Sequence, residues 1–84
     1  MIYYGYILHS LSSGVYYVGQ SKRLSGRLKE HNDGRVLSTR AGVPWELVFW
    51  IEFPSRSEAV RWERMVKARK SRAFIESVIN RSLP

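Results

Sequence analysis

The sequence predicts a small α/β sandwich in which a central three-stranded antiparallel sheet is flanked by helices, in the order ββαβαα. Three segments, at residues 2–9, 15–19 and 46–53, are rich in Tyr, Ile, Val, Phe and Trp and have the alternation typical of strands. One segment after the second strand and two after the third have apolar residues at helical spacing. The chain has no internal repeat and no low-complexity tail, so these elements are expected to form one layered unit.

The first two strands form a predicted β-hairpin, because only the short Ser/Gly segment at residues 10–14 separates them. Side chains alternate along a strand, so the even-numbered positions from 2 to 8 share one face and Tyr6 can project beside Tyr17 of the partner strand. Residues 21–32 then have helical spacing, which places Arg27 and His31 on one helical face. The Asn-Asp-Gly string at 32–34 is a typical helix end.

Residues 35–45 contain Gly42 and Pro44 and are predicted to be a flexible connection rather than an element. The strand at 46–53 is closed by Pro54, and its apolar residues on both faces predict a central or covered strand. Ser55 or Ser57 is expected to cap a helix that runs to residue 70. A last helix begins near residue 71 and buries the apolar side chains at 74, 75, 78 and 79.

The size and composition limit the classes of protein. The 84 residues support one hydrophobic core, so we expect a single domain over residues 1–84 and no multidomain enzyme. The net charge of +7 favours a polyanion such as nucleic acid or acidic lipid over an acidic protein partner. The absence of Cys excludes a disulfide-linked partner and thiolate metal sites, and it fits a cytoplasmic location. Polar residues interrupt the uncharged N-terminal stretch, so neither a membrane span nor a signal peptide is predicted.

A set of five residues contains the groups that phosphodiester cleavage requires. Tyr6 and Tyr17 offer oxygen acids or bases, and Arg27 offers a cation against developing phosphoryl charge. His31 can exchange a proton, and Glu63 offers a carboxylate for a divalent metal. None of these residues is diagnostic alone, and the combination is what indicates the chemistry.

Ordered motifs over most of the chain, from about Tyr3 to about Ile79, are similar to those of the GIY-YIG nuclease superfamily, in particular its small single-domain members. One departure is that Tyr4 and Gly5 stand where the family name expects Gly and Ile, which concerns the packing of the first strand more than its chemistry. The matching strings are YGY at 4–6, YVG at 17–19, RLKEHNDG at 27–34, PWELV at 44–48 and SEAVRWERMVK at 57–67.

The resemblance implies a role for each candidate. It places Tyr6 as the general base or the phenol that orients the attacking water, with Tyr17 close by. Because a free Tyr has a pKa near 10, Tyr6 needs help from a neighbouring cation or from a metal. Arg27 would bind the scissile phosphate, and His31 would orient the phosphate or a tyrosine, or shuttle a proton. Glu63 would hold a single Mg²⁺ or Mn²⁺.

Other residues are candidates for support or for substrate contact. Gly19 is expected to let the backbone turn tightly from strand to helix. Thr39 and Asn80 are weaker candidates for substrate contact or local support. The run from Arg64 to Arg72 contains no acid, and it can either grip a nucleic-acid backbone or form an ordinary exposed helix face. The candidates for DNA binding are Lys22, Arg23, Arg40, Arg64, Lys67 and Lys70.

Each candidate also has a purely structural interpretation. Strand tyrosines are ordinarily half-buried sheet residues, and an Arg/His pair is ordinarily a solvated helix face. Glu63 can pair with the cations around it, although its place on the Ala59/Val66 side of the helix favours metal binding. Glu30 is expected to be merely solvated. The three Trp residues can stack on bases, but in so small a chain they more often belong to the core.

The resemblance and the site residues together predict a metal-dependent DNA endonuclease. So short a chain leaves little with which to read a long sequence, so we expect selection of single-stranded or branched DNA by shape. Two rival functions remain open: a non-catalytic nucleic-acid-binding module on the same fold, and a protein-interaction adaptor.

Overall fold

The computed structural model describes residues 1–81 and confirms the predicted fold class. A three-stranded antiparallel sheet is covered by helices on both faces. A short 3₁₀ helix, Leu37–Gly42, precedes the third strand. The strands are β1 Tyr3–Ser10, β2 Tyr16–Ser21 and β3 Trp45–Phe53, and the α-helices are α1 Leu24–Asn32, α2 Arg56–Ala68 and α3 Arg72–Arg81.

The strand order is β2-β1-β3, so β1 is the central strand and β3 lies at an edge. We expected β3 to be either a central strand or a covered one. The first of these alternatives was wrong, because β3 lies at an edge of the sheet. Helices pack on both faces of the sheet, so β3 has apolar residues on both of its faces. A central strand has the same sequence pattern, and the two cannot be told apart by it. Its outer part stays accessible, with Trp50 55% and Ile51 37% exposed.

Two small cores lie on opposite faces of the sheet. On the α1 side, Tyr6, Leu8 and Trp45 are buried, and apolar side chains of α1 pack against them. On the other side, Ile7 and Val18 are buried against Val66 of α2. The apolar side chains of α3 predicted at positions 74, 75, 78 and 79 cover this second core, as expected. The period-two alternation of β1 thus distributes its residues between two cores.

Gly5 explains the departure in the first motif. A Cβ atom at this position would overlap the indole ring of Trp62, which lies directly over the backbone of β1. The same indole ring stacks on Phe49, with ring centroids 6.1 Å apart. Only a residue without a side chain permits this approach of α2 to the sheet.

The first helix begins later than predicted, at Leu24 rather than at residue 21. Ser21 still pairs with Tyr4 in the sheet, so β2 is longer than expected. The Ser21 hydroxyl also accepts a hydrogen bond from the Arg23 amide at 3.0 Å, which holds the connection in a turn.

The second helix is capped by Ser55, whose hydroxyl accepts a hydrogen bond from the Glu58 amide at 3.3 Å. It ends at Ala68 rather than at residue 70. Lys70 adopts a φ of 46°, a left-handed conformation that a helix cannot continue through.

The prediction of a flexible connection at residues 35–45 was wrong in its middle part. Thr39 is 2% exposed, and a Cβ atom at Gly42 would overlap the indole ring of Trp45. The indole Nε1 of Trp45 donates to the Thr39 carbonyl at 2.8 Å. The amide group of Asn32 exchanges two hydrogen bonds with the Trp45 backbone, which joins the end of α1 to the start of β3.

None of the helices within residues 1–81 is long and apolar enough to cross a membrane.

Candidate active site

Tyr6 occupies the centre of the site, on the middle strand of the sheet and only 2% exposed. It lies opposite Gly19 of β2 in the strand register. A Cβ atom at Gly19 would come within 2.6 Å of the Tyr6 hydroxyl oxygen. Gly19 is part of β2 rather than of a tight turn into the helix, so the predicted reason for this glycine was wrong. It provides the space into which the Tyr6 ring packs.

His31 joins Tyr6 to the 3₁₀ helix by two short hydrogen bonds. Its Nε2 atom lies 3.0 Å from the Tyr6 hydroxyl, and its Nδ1 atom lies 2.8 Å from Thr39 Oγ1. The partner of its Nε2 atom is the Tyr6 hydroxyl, and the imidazole is fully buried. Of the roles that the resemblance implied for His31, this arrangement favours the orientation of Tyr6.

The hydrogen-bond pattern assigns the proton of a neutral His31. The Thr39 hydroxyl donates to the Val36 carbonyl at 3.3 Å, so Thr39 Oγ1 accepts from His31 Nδ1–H. Nε2 is then the acceptor, and the Tyr6 hydroxyl donates to it. The phenol proton of Tyr6 therefore already points at a nitrogen base.

Burial keeps both partners neutral. Burial raises the pKa of Tyr6 to about 12, and the nearby Tyr17 and Glu63 act in the same direction while Arg27 opposes them. Burial also lowers the pKa of His31 to about 4, with the charge of Arg27 as the second cause. In the protein alone His31 is thus neutral, and Arg27 is the cation that lowers the pKa of Tyr6.

Tyr17 forms the open side of this cluster. Its ring centroid lies 4.9 Å from that of His31 and 6.4 Å from that of Tyr6. The Nζ atom of Lys67 lies 5.4 Å from the centroid of the Tyr17 ring. The two tyrosines therefore lie side by side as the hairpin predicts, with Tyr6 buried and Tyr17 partly accessible.

Arg27 lies at the rim, where its side chain is 34% exposed. Its Nη1 atom donates to Glu30 Oε1 at 3.0 Å, and the same carboxylate accepts from Arg23 at 3.3 Å. Glu30 raises the pKa of Arg27, which keeps the guanidinium charged. Arg27 faces a polar cleft of about 320 Å³ whose other cations are Lys22, Arg23 and Arg56.

Glu63 completes the set from α2. Its Oε2 atom accepts a hydrogen bond from Lys67 Nζ at 2.6 Å, and its side chain is 19% exposed. Lys67, which holds Glu63, also lies over the Tyr17 ring, and the charge of Glu63 is the last of the causes that raise the pKa of Tyr6. Of the predicted set, Tyr6, Tyr17 and His31 contact one another, whereas Arg27 lines the polar cleft at the rim and Glu63 is held by Lys67 beside Tyr17.

The residues present fit one divalent metal ion rather than a closed metal centre. Within residues 1–81 no three His, Cys, Asp or Glu side chains cluster to hold a metal. A single partly buried carboxylate suits Mg²⁺, which keeps several waters and takes further ligands from substrate phosphate. Glu63 is the group that would hold such an ion, once Lys67 releases it.

The remaining predicted DNA-binding residues are spread over the surface. Arg40 donates to the Gly34 carbonyl at 3.1 Å in the turn after α1. Arg64 lies on the exposed face of α2, and Lys70 lies just beyond its end. Asn80 lies near the end of α3, where it lines a small cleft with Tyr16 and Glu76. Their roles in DNA binding stay predictions.

The run from Arg64 to Arg72 is not a uniform row of free charges. Lys67 pairs with Glu63, and Arg69 lies over the Phe74 ring at 4.4 Å. Arg72 donates to the Gly14 carbonyl at 2.8 Å. Several of these cations therefore make contacts within the protein.

Two residues, Glu30 and Thr39, contact side chains of the candidate site, which was not predicted from the sequence. Glu30 is not merely solvated, because it positions Arg27; its spacing of three from Arg27 is the signal that could have identified it. Thr39 contacts His31 directly, and no local pattern announces this, because the contact depends on how the 3₁₀ helix folds back onto α1.

The family model for the GIY-YIG catalytic domain matches residues 2–75. The chain belongs to the GIY-YIG family. This is a family of nucleases, which confirms the resemblance found in the motifs and implies DNA as the substrate.

Relatives of this GIY-YIG chain carry the name UPF0213. The UPF0213 protein BH0048 of Halalkalibacterium halodurans is 40% identical over 68 residues, which cover 80% of this chain and 71% of the relative. A UPF0213 protein of Streptococcus pneumoniae serotype 4 is 35% identical over 68 residues, which cover 80% and 68%. The solution NMR structure of the UPF0213 protein BH0048 from Bacillus halodurans matches with a TM-score of 0.62 and 36% identity, over 98% of this chain and 86% of that one.

Proposed function

We propose that this protein is a metal-dependent DNA endonuclease that hydrolyses phosphodiester bonds in single-stranded or branched DNA. The observation that carries the proposal is the buried Tyr6–His31 hydrogen bond at 3.0 Å, and the charges of Arg27 and Glu63, which both act on Tyr6, support it. A phenol, a proton acceptor, a cation and a carboxylate within one site are the groups that hydrolysis of a phosphodiester requires.

Tyr6 and His31 act as a pair in this proposal. The Tyr6 oxygen accepts a proton from the attacking water while the Tyr6 hydroxyl proton passes to His31 Nε2. The water oxygen forms the new bond to phosphorus, and the bond to the leaving oxygen breaks with its electron pair going to that oxygen, which takes a proton from solvent. His31 then carries both ring protons, with Nδ1–H still donating to Thr39.

Substrate binding itself prepares this proton transfer. The charge of Arg27 is the second cause of the lowered pKa of His31. A phosphate bound to Arg27 neutralises that charge, so the pKa of His31 rises and the imidazole becomes a better proton acceptor. Burial, the largest cause of the low pKa of His31, is unchanged by this, so phosphate binding removes only the second cause.

Arg27 and Glu63 act on the phosphate. The guanidinium of Arg27 is held by Glu30 and faces the polar cleft, where it forks onto phosphate oxygens. Glu63 would hold Mg²⁺ or Mn²⁺ together with the bound phosphate, and the ion supplies positive charge against the charge that develops on the phosphoryl oxygens. Lys67 has to leave Glu63 for this, and it is then free to pair with a phosphate.

The test is a cleavage assay of the purified protein with Mg²⁺ or Mn²⁺ and labelled single-stranded, duplex and branched DNA. We expect cleavage of the single-stranded or branched substrates, and its loss in Tyr6→Phe, Arg27→Ala and Glu63→Gln. Glu46→Gln is the matched control, because Glu46 is an exposed carboxylate that pairs with His9 away from the Tyr6 cluster.

The two rival functions give different results in the same assay. A non-catalytic nucleic-acid-binding module binds the DNA without cutting it, and Glu63→Gln then changes nothing. A protein-interaction adaptor does not bind DNA even at low salt, where the electrostatic attraction is strongest. Either result would overturn the endonuclease proposal.

A further inference from the structure

Trp50 is the one tryptophan within residues 1–81 that is not packed into a core. It is 55% exposed, whereas Trp45 is 6% exposed and Trp62 packs against the second core. Trp50 lies opposite Tyr6 in the strand register, so it projects from the α1 face of the sheet, the face that carries the active site. No other aromatic ring of the described residues stacks on it.

Trp50 forms one wall of a groove of about 710 Å³ between α1 and the edge strand β3. The groove combines three kinds of surface. Trp50 and Tyr4 are aromatic, Leu28 and Leu47 form an apolar floor, and Lys22 and Arg23 are cations at the rim. One carboxylate, that of Glu52, also lines it.

The groove lies next to the cleft that contains Arg27. Lys22 and Arg23 line both, so a chain of phosphates bound beside Arg27 passes directly to the rim of the groove. The cleft contains four cations. Two of them, Lys22 and Arg56, have no acidic partner within residues 1–81. This cationic path leads from the site of the scissile phosphate to Trp50.

We propose that this groove binds an unpaired nucleobase of the DNA strand, stacked on Trp50, with the adjacent phosphate held by Lys22 and Arg23. The inference rests on the proposed endonuclease function and names the feature of the substrate that the site selects. An aromatic wall with cations beside it matches the base and phosphate of one nucleotide, and stacking tolerates every base. A base inside a duplex has both faces covered and cannot reach Trp50.

Charge favours a nucleotide over a second copy of this chain as the occupant. A second copy would bring another molecule of net charge +7 against the cationic rim. A DNA strand brings a negative charge at each nucleotide and therefore complements the rim.

The experiment measures binding by fluorescence anisotropy in EDTA, which separates binding from turnover. The probes are a fluorescein-labelled oligonucleotide as a single strand and the same strand in a duplex. Trp50→Leu is compared with Trp50→Phe, which keeps an aromatic face, and with Leu11→Ala, which shortens an apolar side chain that is 59% exposed outside the groove.

We expect Trp50→Leu to weaken single-strand binding roughly five- to a hundred-fold, the usual effect of losing a base-stacking ring. Duplex affinity should stay unchanged, Trp50→Phe should restore most of the loss, and Leu11→Ala should behave as wild type. Arg23→Gln should instead lower the slope of log affinity against log salt for the single strand by about 0.7.

Equal losses for single strand and duplex, or no loss for either, would overturn the inference. So would a dimer in sedimentation that Trp50→Leu converts to a monomer, because a second copy would then cover the groove. A protein that binds single strands through Trp50 but never cleaves them would refute the endonuclease function and leave the groove intact. Cleavage of DNA by a protein whose affinity for single strands does not depend on Trp50 would support the endonuclease function and refute the role of the groove.

Discussion

The protonation states of Tyr6 and His31 depend on the hydrogen bond between them and on their burial. Neither residue is ionised in the protein alone, and each provides the hydrogen-bond partner that the other needs in a dry environment. Thr39 determines the direction of this pair, because it accepts the Nδ1 proton and leaves Nε2 free to accept from Tyr6. A single hydroxyl group in a short 3₁₀ helix therefore decides which way the phenol proton points.

Thr39→Val keeps the shape of the side chain but removes its hydroxyl, so the buried Nδ1–H of His31 loses its acceptor. We expect a stability loss of about 1–3 kcal/mol and a fall in the cleavage rate of at least about tenfold. Thr39→Ser should retain both properties. Long-range ¹H–¹⁵N NMR of the imidazole reports the tautomer independently of activity. An unchanged tautomer and an unchanged rate in Thr39→Val would contradict this role.

The pH dependence of stability follows from His31. Its pKa is lowered from 6.5 to about 4, so the unfolded chain binds more protons between these values and stability falls as the pH drops through this window. The largest loss is about 3 kcal/mol. Glu30 and Asp33, whose pKa values are also lowered, add to the loss only below their ordinary values of 4.5 and 3.8.

Urea unfolding between pH 4.5 and pH 6.5 isolates the His31 contribution. His31→Gln should flatten the dependence on pH in this window, whereas His9→Gln, at the exposed Glu46 pair, should keep it. At the alkaline side, the pKa of Tyr6 is raised to about 12, so its contribution is fully present below pH 10 and is lost as the pH rises further. A steep acid limb that persists in His31→Gln would contradict the assignment.

At the scale of elements, close contacts at glycines set the spacing of the layers. Gly5 brings α2 onto β1, and Gly19 leaves room for the Tyr6 ring against β2. The elements are thus held at distances that a single added methyl group would change.

Gly19→Ala should disturb the active site directly, because the new Cβ atom would overlap the Tyr6 ring. We expect a stability loss of about 1–3 kcal/mol, typical of overpacking, together with loss of cleavage. Gly26→Ala is the control, since it lies inside α1 and its Cβ atom would meet chiefly the flexible end of Arg23. It should raise stability by about 0.5–1 kcal/mol. Thermal unfolding of both variants tests this, and a neutral Gly19→Ala would contradict it.

The elements that depend on local periodicity could be predicted from the sequence. The hairpin, the helical face of Arg27 and His31 and the serine cap of α2 all follow from spacing within a few residues. The edge position of β3 could not be predicted, because helices on both faces give an edge strand the pattern of a central one. The 3₁₀ helix was missed because it is held by contacts with distant residues, above all with Trp45.

The contact of Tyr6 with Tyr17 could be predicted from the hairpin, but the other contacts within the candidate site could not. Motif spacing singled out Tyr6, Tyr17 and His31, whose side chains contact one another in the structure. The neutral state of His31 and the pairing of Glu63 with Lys67 depend on burial and on side-chain geometry, which a sequence pattern does not contain.

At the scale of the whole molecule, some of the cationic side chains form ion pairs with carboxylates and others do not. Arg56, Arg61 and Arg64 line a second cleft of about 580 Å³ on α2 and have no acidic partner within residues 1–81. Arg56 also lines the cleft of Arg27, so its side chain lies between the two clefts. Arg64 lies eight residues after Arg56 in α2, so this surface extends about 12 Å, enough for roughly three phosphates of one strand.

Removal of these arginines should reduce the salt dependence of DNA binding. Each of Arg56→Gln, Arg61→Gln and Arg64→Gln should lower the slope of log affinity against log salt by about 0.7–0.9. Arg35→Gln and Arg81→Gln remove the same charge from exposed positions that line neither cleft, and they should change the slope little. Anisotropy titrations at several salt concentrations give the slopes. Equal changes in all five variants would show that net charge alone attracts the DNA.

The central position of β1 has a consequence for heat inactivation. Tyr6 lies on a strand that is hydrogen-bonded to neighbours on both sides, and backbone amides in such a strand exchange with solvent mainly when the whole domain opens. The chemistry is therefore anchored in the segment that is expected to be last to open. Loss of cleavage on heating should coincide with global unfolding, and an irreversible loss at lower temperature would have to begin elsewhere in the molecule.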